Sequence, residues 1–253
     1  MTDIYAGKDA AGRYDSARAL PDETMALWMS ELKRLVLPEA FRRVLDLGGG
    51  TGRFAPPIQR TYGCPVIVLD PSAAMLQQGS VLGPAGVSWV CGAAERIPLA
   101  TGSVDLVWMS QVFHHLEDKL RAFAEIRRVL NPAGYLVVRN GTHESEAAIG
   151  WIECFPEAKA LNERVMPSQA DIIGAVSRRG FGVLHVETVR QVFATSYLEY
   201  CRKISQRGLS SLIKISDEAF DAGVRRLRAW AVAQPRDTPV YDPVDLFVFR
   251  KET

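Results

Sequence analysis

Short apolar runs alternate with helix-like segments over the first 140 residues of the chain. The runs are RVLDL, PVIVLD, VSWVC, VDLVWMS and YLVVRN, and each has the length and the branched or aromatic side chains of a buried strand. Strands that alternate with helical crossovers are typical of a parallel sheet with helices on its faces. The pattern therefore predicts an α/β fold.

Two segments in this part of the chain have clear helical periodicity. Apolar side chains recur every three or four residues over residues 21–37, after the start signal PDE, whose acids suit the positive end of a helix. The same spacing over residues 116–130 predicts a second helix, with NPAG at residues 131–134 as its stop.

Beyond Asn140 the pattern is looser. Helices are predicted over residues 168–179 and 217–233, a strand over residues 183–192, and a last strand at VDLFVFRK. No repeat or low-complexity linker separates these elements. We therefore expect one sheet domain with helical additions after its fifth strand.

Composition limits the class of protein and of partner. A chain of 253 residues that is 47% hydrophobic and 23% charged can bury a large core, which argues against a disordered protein. Its formal net charge of +1 provides no basic field that would attract nucleic acid or an anionic membrane. We therefore expect a small-molecule partner, with no nucleic acid and no membrane, and a monomer or homodimer.

The cysteines and the amino-terminal segment indicate the compartment. Cys64, Cys91, Cys154 and Cys201 lie far apart and show no zinc-ligand spacing, so we expect reduced, buried thiols. The segment MTDIYAGKDAAGR carries charges where a signal peptide needs an apolar core, and no apolar run reaches the roughly 18 residues of a membrane span. These features predict a cytoplasmic protein.

The stretch VLDLGGGTGRF at residues 44–54 is a glycine-rich turn after a strand, which is typical of a nucleotide-type cofactor site. A dinucleotide loop requires a third glycine where Arg53 stands, and a P-loop requires Gly-Lys-Ser/Thr. Asp70 ends the next strand, where a carboxylate can accept both hydroxyls of a ribose. Alone, Asp70 does not separate NAD from S-adenosylmethionine.

The following segments separate the two cofactors. With the glycine loop, LDPSAAML and CGAAERIPLATGSVDLVWMSQVFHHLEDKLRAFAEIRRVLNPAGYLVV, the chain resembles the class I S-adenosylmethionine-dependent methyltransferases from about Arg43 to Asn140. The resemblance is to the broad family that includes ubiquinone/menaquinone-biosynthesis and small-molecule methyltransferases. It implies S-adenosyl-L-methionine as the cofactor and an acceptor methylated at O, N or C.

The same resemblance implies a Rossmann-like, doubly wound, seven-stranded sheet. This sheet is mostly parallel with an antiparallel last strand, and an N-terminal lid helix and a helical insertion after the fifth strand accompany it. Residues 1–253 then form a single domain, with a lid and helix at 1–40, a cofactor-binding core at 41–140, a helical acceptor side at 141–240 and the last strand at 241–253.

The resemblance also implies a set of cofactor contacts. Asp46 is expected to fix the glycine loop or to approach the amino group, Asp70 to hold the ribose, and Pro71 and Met75 to pack on the adenine. Gly48, Gly50, Thr51 and Gly52 are expected to line the methionine moiety, Ala93 and Ala94 the edge of the adenine, and Ser110 and Gln111 the methyl position.

Two positions qualify this assignment. Ala93 stands where the family often has an aspartate, so recognition of the adenine amino group is expected to rest on backbone or on another side chain. In the N-terminal GRYDSAR, Tyr14 can cover the sulfonium with its ring face and Arg18 can pair with the cofactor carboxylate. Ordinary packing or surface roles explain both residues equally well.

The acceptor side offers three histidines. If the chain turns helical after Ser110, then Gln111, His114 and His115 share one helix face. Related O-methyltransferases carry Glu-x-x-Glu-His here for a divalent metal, and the loss of both carboxylates predicts no metal. His114 or His115 can act as a base or a substrate ligand, and His143 in NGTHESE is a further candidate, against packing roles for each.

Other assignments stay open at this point. Trp151, Phe155, Tyr197, Tyr200 and Arg207 are candidates for the wall of an acceptor pocket, or are ordinary core and surface residues. The arginines of VRRLRAW and CRKISQRG form an RNA-contacting stripe or a solvated helix face. The alternatives to a small-molecule methyltransferase are an RNA or protein methyltransferase and an inactive cofactor-binding regulator.

Overall fold

The structure, a computed structural model, describes residues 19–37, 41–81, 83–146, 150–235 and 237–252. Within these residues seven strands form one sheet in the order β3-β2-β1-β4-β5-β7-β6. The strands are β1 (Val44–Leu47), β2 (Val66–Asp70), β3 (Val87–Cys91), β4 (Val104–Ser110), β5 (Leu130–Asn140), β6 (Phe181–Ala194) and β7 (Val240–Lys251).

Helices pack on both faces of the sheet, and several more helices come after β5 in the chain. The longer ones are α1 (Asp22–Leu35), α2 (Ala55–Tyr62), α3 (Ala73–Val81), α4 (Lys119–Val129), α6 (Pro156–Val165), α7 (Gln169–Ser177), α8 (Tyr197–Ile204) and α10 (Asp217–Val232). Short turns of helix are α5 (His143–Glu146) and α9 (Ser210–Ile213), and Phe113–His115 and Gly150–Cys154 are 3₁₀ turns.

The direction of the strands confirms the predicted sheet. Neighbouring strands from β3 to β5 are parallel, whereas β7 is antiparallel to both β5 and β6. The chain leaves β1 toward β2 and β3 on one side and returns to β4 and β5 on the other. The order therefore reverses between β1 and β4, and ligands of open α/β sheets bind outside the carboxyl ends of the strands at such a point.

Side-chain alternation along the strands separates two cores. Leu45 and Leu47 join the core on the face that carries α4 and α7, while Val44 belongs to the opposite core with α1 and α2. A third apolar cluster lies among the helices that follow β5, and includes Phe155, Leu212 and Leu227. The central strands are thus buried on both faces, as expected for parallel strands with apolar sequences, whereas β3 and β6 at the edges are partly exposed.

Some predicted details differ from the structure. The helix expected from Leu116 begins at Lys119, because Asp118 caps it by accepting the backbone N–H of Arg121. It ends at Val129, and β5 begins at once, so NPAG lies inside the strand. Cys91 is exposed, which makes the expectation of a buried thiol wrong there, whereas the other three cysteines are buried and all four are free.

No helix within the described residues is long and apolar enough to cross a membrane.

Gly223 of α10 tests how tightly the third cluster is packed. A Cβ at this position would lie 2.1 Å from Cδ1 of Phe155, while a Cβ on Gly174 of α7 would meet nothing within 4 Å. Helix propensity alone makes Gly→Ala stabilising by up to about 1 kcal/mol. Gly174→Ala should therefore raise the free energy of unfolding by about 0.5–1 kcal/mol, whereas Gly223→Ala should lower it by about 1–3 kcal/mol through overpacking.

Urea unfolding of both variants measures these two changes. Stabilisation by Gly223→Ala would contradict the tight packing of α10 on Phe155.

Candidate cofactor and acceptor site

The glycine loop turns sharply between β1 and α2. Gly48, Gly50 and Gly52 have φ values of 68°, 58° and 72°, which side chains with a Cβ rarely adopt. A Cβ on Gly48 would lie 2.4 Å from Cγ2 of Val112, and one on Gly52 would lie 2.4 Å from Cη2 of Trp89. The loop therefore packs closely against Val112 and Trp89. A larger residue at Gly48 or Gly52 would clash with these side chains.

Asp70 connects this loop to the end of β2. Its Oδ2 accepts the backbone N–H of Gly50 at 2.9 Å, and its Oδ1 accepts the backbone N–H of Ser72 at 2.9 Å. A carboxylate makes each of these hydrogen bonds stronger than a neutral acceptor would. The side chain is half-buried and lies at the carboxyl end of β2, beside the glycine loop.

Asp46 is the buried acid of β1, and only 1% of it is exposed. Burial raises its pKa to about 7, Asp70 adds to the rise, and Arg53 opposes it. Among the described residues, its Oδ2 has no hydrogen-bond partner. A Cβ on Gly49 would lie 2.7 Å from this oxygen, so the backbone of the loop runs directly past the carboxyl group.

The positions after β2 and β3 adjoin Asp70. Met75 is buried, and its Cε would lie 3.2 Å from a Cβ on Gly50, while Pro71 is exposed. The backbone N–H of Gly92 donates to the carbonyl of Asp70 at 3.1 Å, which brings exposed Ala93 and buried Ala94 beside the end of β2. Thr51 is half-buried within the loop.

The turn after β4 corrects one expectation. Gln111 has a φ of 60°, and the chain then forms only a 3₁₀ turn over Phe113–His115, so the helix that would align Gln111 with both histidines does not form. Tertiary hydrogen bonds hold Gln111 in this conformation. The backbone N–H of Gln111 donates to the carbonyl of Arg139 at 2.7 Å, and its Oε1 accepts the N–H of Gly141 at 3.2 Å.

The three histidines occupy different surroundings. The rings of His114 and His115 are half-buried, with centroids 4.1 Å apart. His143 is exposed on α5, and its backbone N–H donates to the carbonyl of Pro167. His114 lines the cleft described next, whereas the other two are not among its described lining residues.

A cleft lies between the turn after β4 and the helices that follow β5. Its empty volume is about 650 Å³, and this figure includes space that is open to solvent. Gln111, His114, Trp151 and Tyr200 were candidates from the sequence. The structure adds mainly Asn162, Met166, Phe193, Ile204, Leu209, Ser210, Ser211, Asp242 and Val244.

Arg139 is a residue that sequence reasoning missed. It is 2% exposed, and its guanidinium donates to Oγ of Ser110 at 3.1 Å and to Oε1 of Gln191 at 2.8 Å. The group also lies over the rings of Trp28 and Phe54, at 4.4 and 5.5 Å from their centroids. An arginine inside the apolar strand YLVVRN was the available signal, since a buried cation requires partners.

Two sequence-predicted residues, Tyr14 and Arg18, lie outside the described residues. Within the described ranges, no group of three or more His, Cys, Asp or Glu side chains is placed to hold a metal ion.

Comparison with known proteins identifies a domain match over part of the chain. A family model described as a methyltransferase domain matches residues 45–138. The ubiquinone/menaquinone biosynthesis C-methyltransferase UbiE of Rubrivivax gelatinosus is 38% identical over 125 residues, which are 49% of this chain and 49% of the relative. The chain thus spans about half the length of this relative.

Two solved structures share the fold. Phosphoethanolamine N-methyltransferase 2 of Haemonchus contortus, in complex with S-adenosyl-L-methionine, has a TM-score of 0.64 at 22% identity, covering 98% of this chain and 58% of its own. The [4+2]-cyclase SpnF has a TM-score of 0.66 at 18% identity, covering 94% of this chain and 84% of its own. Residues 45–138 therefore match a methyltransferase domain, and the sheet that contains them has a fold found in solved methyltransferase structures, as the sequence predicted.

Proposed function

We propose that the chain binds S-adenosylmethionine on the glycine loop and transfers its methyl group to a small molecule held in the cleft. One observation carries this proposal. Val112 covers Gly48 of the loop, while its neighbours Gln111 and His114 line the cleft. A donor on the loop and an acceptor in the cleft would thus meet at one turn of the chain.

The residues of the loop fit this cofactor. Its glycines carry no Cβ, so the backbone of the loop can approach the cofactor closely. The ammonium group of the cofactor would supply the hydrogen bond that Oδ2 of Asp46 lacks among the described residues, and Asp70 would accept from the ribose hydroxyls. Pro71 and Met75 would contact the adenine, with the backbone at Ala93 and Ala94 meeting its amino edge.

The remaining assignments extend toward the methyl group. We assign Thr51, Gly48 and Gly50 to the methionine moiety, and Ser110 and Gln111 to the surroundings of the methyl position. Tyr14 and Arg18 are proposed as a lid over the sulfonium and the carboxylate. Residues 1–40 would then cover the donor, 41–140 hold it, and 141–240 shape the acceptor pocket, with the last strand at 241–253 completing one domain.

The cofactor supplies a methyl group on a sulfonium, which is already a good leaving group. The protein's task is therefore chiefly to orient the acceptor and to exclude water. Where the acceptor arrives protonated, His114 is the base that we propose, because its imidazole lines the cleft. His115 would orient His114 through their ring contact. His143, the first residue of α5, is a further candidate for a catalytic role on the acceptor side.

Contacts made by arginines of the two basic segments, VRRLRAW and CRKISQRG, support a small-molecule acceptor. Arg207 donates to Asp217, and Arg226 donates to the carbonyl of Cys154, so both arginines hold helices together. This favours a small acceptor over RNA. The relatives named as a C-methyltransferase of quinone biosynthesis and a phosphoethanolamine N-methyltransferase support the same choice, while the cyclase keeps a regulator or a different reaction as the alternative.

Asp70 provides the test of cofactor binding. Calorimetric titration should show that the wild-type chain binds S-adenosylmethionine and not NAD. Asp70→Ala should weaken this binding by about 100-fold or more, because hydrogen bonds to a charged group contribute about 1.5–3 kcal/mol each. Asp221→Ala, which removes an exposed acid of α10, is the matched control.

Circular dichroism of Asp70→Ala verifies that the variant is folded. Unchanged affinity in a folded Asp70→Ala protein, or tighter binding of NAD, would refute the assignment.

Asp46 provides a test by pH. Its native pKa of about 7 lies above the ordinary value of 3.8, so the native state binds more protons than the unfolded state between these values. Stability of the wild type therefore falls as pH rises through this window. Asp46→Asn should gain stability relative to the wild type from pH 4 to pH 8, by up to about 4 kcal/mol.

Urea unfolding at several pH values measures this difference, with Asp221→Asn as the control. A difference between Asp46→Asn and the wild type that does not change with pH would mean that the carboxyl group is not held in its neutral form.

A further inference from the structure

Two arginines of the basic segments are exposed and take no part in the packing of helices described above. Arg202 lies on α8 and Arg228 on α10. Among the described residues, the structure gives the side chain of Arg228 no hydrogen bond, ion pair or ring contact. Arg202 lies 4.0 Å from a carboxylate oxygen of Glu199, and that oxygen is closer to Nζ of Lys203, at 3.3 Å. Both guanidinium groups are therefore open to an anionic partner.

Both arginines border a depression between the two helices, which we call the α8–α10 groove. Its described lining residues are Leu198, Cys201, Arg202, Ser205, Gln206, Arg228 and Val232. On α8, the spacing of Leu198, Arg202 and Ser205 places them on one face of the helix. On α10, Arg228 and Val232 share a face for the same reason. Each wall of the groove thus carries one cation and one exposed apolar side chain.

The apolar side chains of the groove are unusually accessible. Leu198 is 62% exposed and Val232 is 74% exposed, whereas Cys201 in the same groove is buried. Apolar surface that is bordered by charged residues is typical of an interaction site. Removing these two side chains from water would stabilise a complex with a partner that covers them.

The walls of the groove determine the shape of a partner. The backbone N–H and C=O groups of α8 and α10 bond within their own helices, so the groove offers no strand edge to which an extended peptide could add. A partner must then satisfy its own backbone groups, and a helix does so. A helix in a groove of this kind presents apolar residues that are three and four positions apart.

The charge of the groove determines the charge of a partner. Among its described lining residues there are two arginines and no aspartate or glutamate. Acidic side chains beside the apolar stripe of a bound helix would pair with Arg202 and Arg228, while basic side chains would be repelled. An anionic membrane suits the groove less well, because binding to lipid uses a broad apolar face that enters the bilayer surface.

We propose that the α8–α10 groove is the docking site for an acidic, amphipathic helix of a partner protein. This inference goes beyond the proposed function and does not depend on it. Tyr200 and Ile204 line the cleft from another face of α8, and the described lining residues of the groove and the cleft do not overlap. A docked helix and a methyl acceptor can therefore be bound at the same time.

A synthetic helix tests the docking site. The probe is a fluorescein-labelled peptide of about 18 alanine, leucine and glutamate residues, with its leucines in one stripe and its glutamates beside them. One control peptide has lysine at each glutamate position, and another has the same composition in scrambled order. Fluorescence anisotropy measures binding to the full chain. We expect the acidic helix to bind with a Kd of about 10–100 μM, at least about tenfold more tightly than either control, and more weakly as salt is added.

Substitutions at exposed positions identify the side chains that are responsible. Arg202→Gln combined with Arg228→Gln should weaken binding of the acidic helix by about tenfold, because two ion pairs are lost. Val232→Ser should weaken it by about fivefold through the loss of apolar contact. Arg121→Gln, which removes an exposed arginine of α4, is the matched control and should leave the affinity unchanged. The ranking of the three peptides in the wild type does not depend on how any variant folds.

The proposal is overturned if the acidic helix does not bind, if either control peptide equals it, or if the double arginine variant keeps the wild-type affinity. Two further measurements address other occupants of the groove. Vesicles of phosphatidylserine and phosphatidylcholine that bind the wild type more tightly than the helix does, but do not bind the double variant, would assign the groove to a membrane. A wild-type dimer in sedimentation velocity that Val232→Ser dissociates would assign it to a second copy of the chain. Either result overturns the proposal.

Discussion

The carboxylate of Asp70 accepts one backbone N–H from each of two loops, at Gly50 after β1 and at Ser72 after β2. These two hydrogen bonds hold the loops after β1 and β2 together beside the crevice where the order of the strands reverses. On its other side the glycine loop is covered by Val112, and this turn also carries His114 into the cleft. In the function that we propose, the placement of the donor therefore determines where an acceptor must lie.

A buried polar network extends this constraint to the acceptor side. Arg139 donates to Ser110 and Gln191, and Gln191 also joins Trp28 of α1 to Asp242 of β7. Partly satisfied polar groups are costly in a low-dielectric interior, so such a network favours a single arrangement of its members. The strand ends beside the proposed methyl position and the carboxylate in the cleft are thus held by the same side chains.

The sheet and the match of residues 45–138 to a methyltransferase domain were predictable because both depend on local sequence. Apolar runs of strand length and a glycine loop followed by Asp70 are features of neighbouring residues. The cleft was only partly predictable, because Asn162 and Asp242 are 80 positions apart and line one cleft with His114 only through tertiary packing. The failure at Gln111 has the same origin, since hydrogen bonds to Arg139 and Gly141 outweigh the local tendency to form a helix.

Transfer of a methyl group to a small molecule is the central claim. It is tested most directly with S-adenosylmethionine labelled on its methyl group, incubated with the full chain and a metabolite extract. We expect the label in a product that passes an ultrafiltration membrane, and no such product with Asp70→Ala. Label in a protein or RNA fraction, or label that stays in S-adenosylmethionine, would contradict the account.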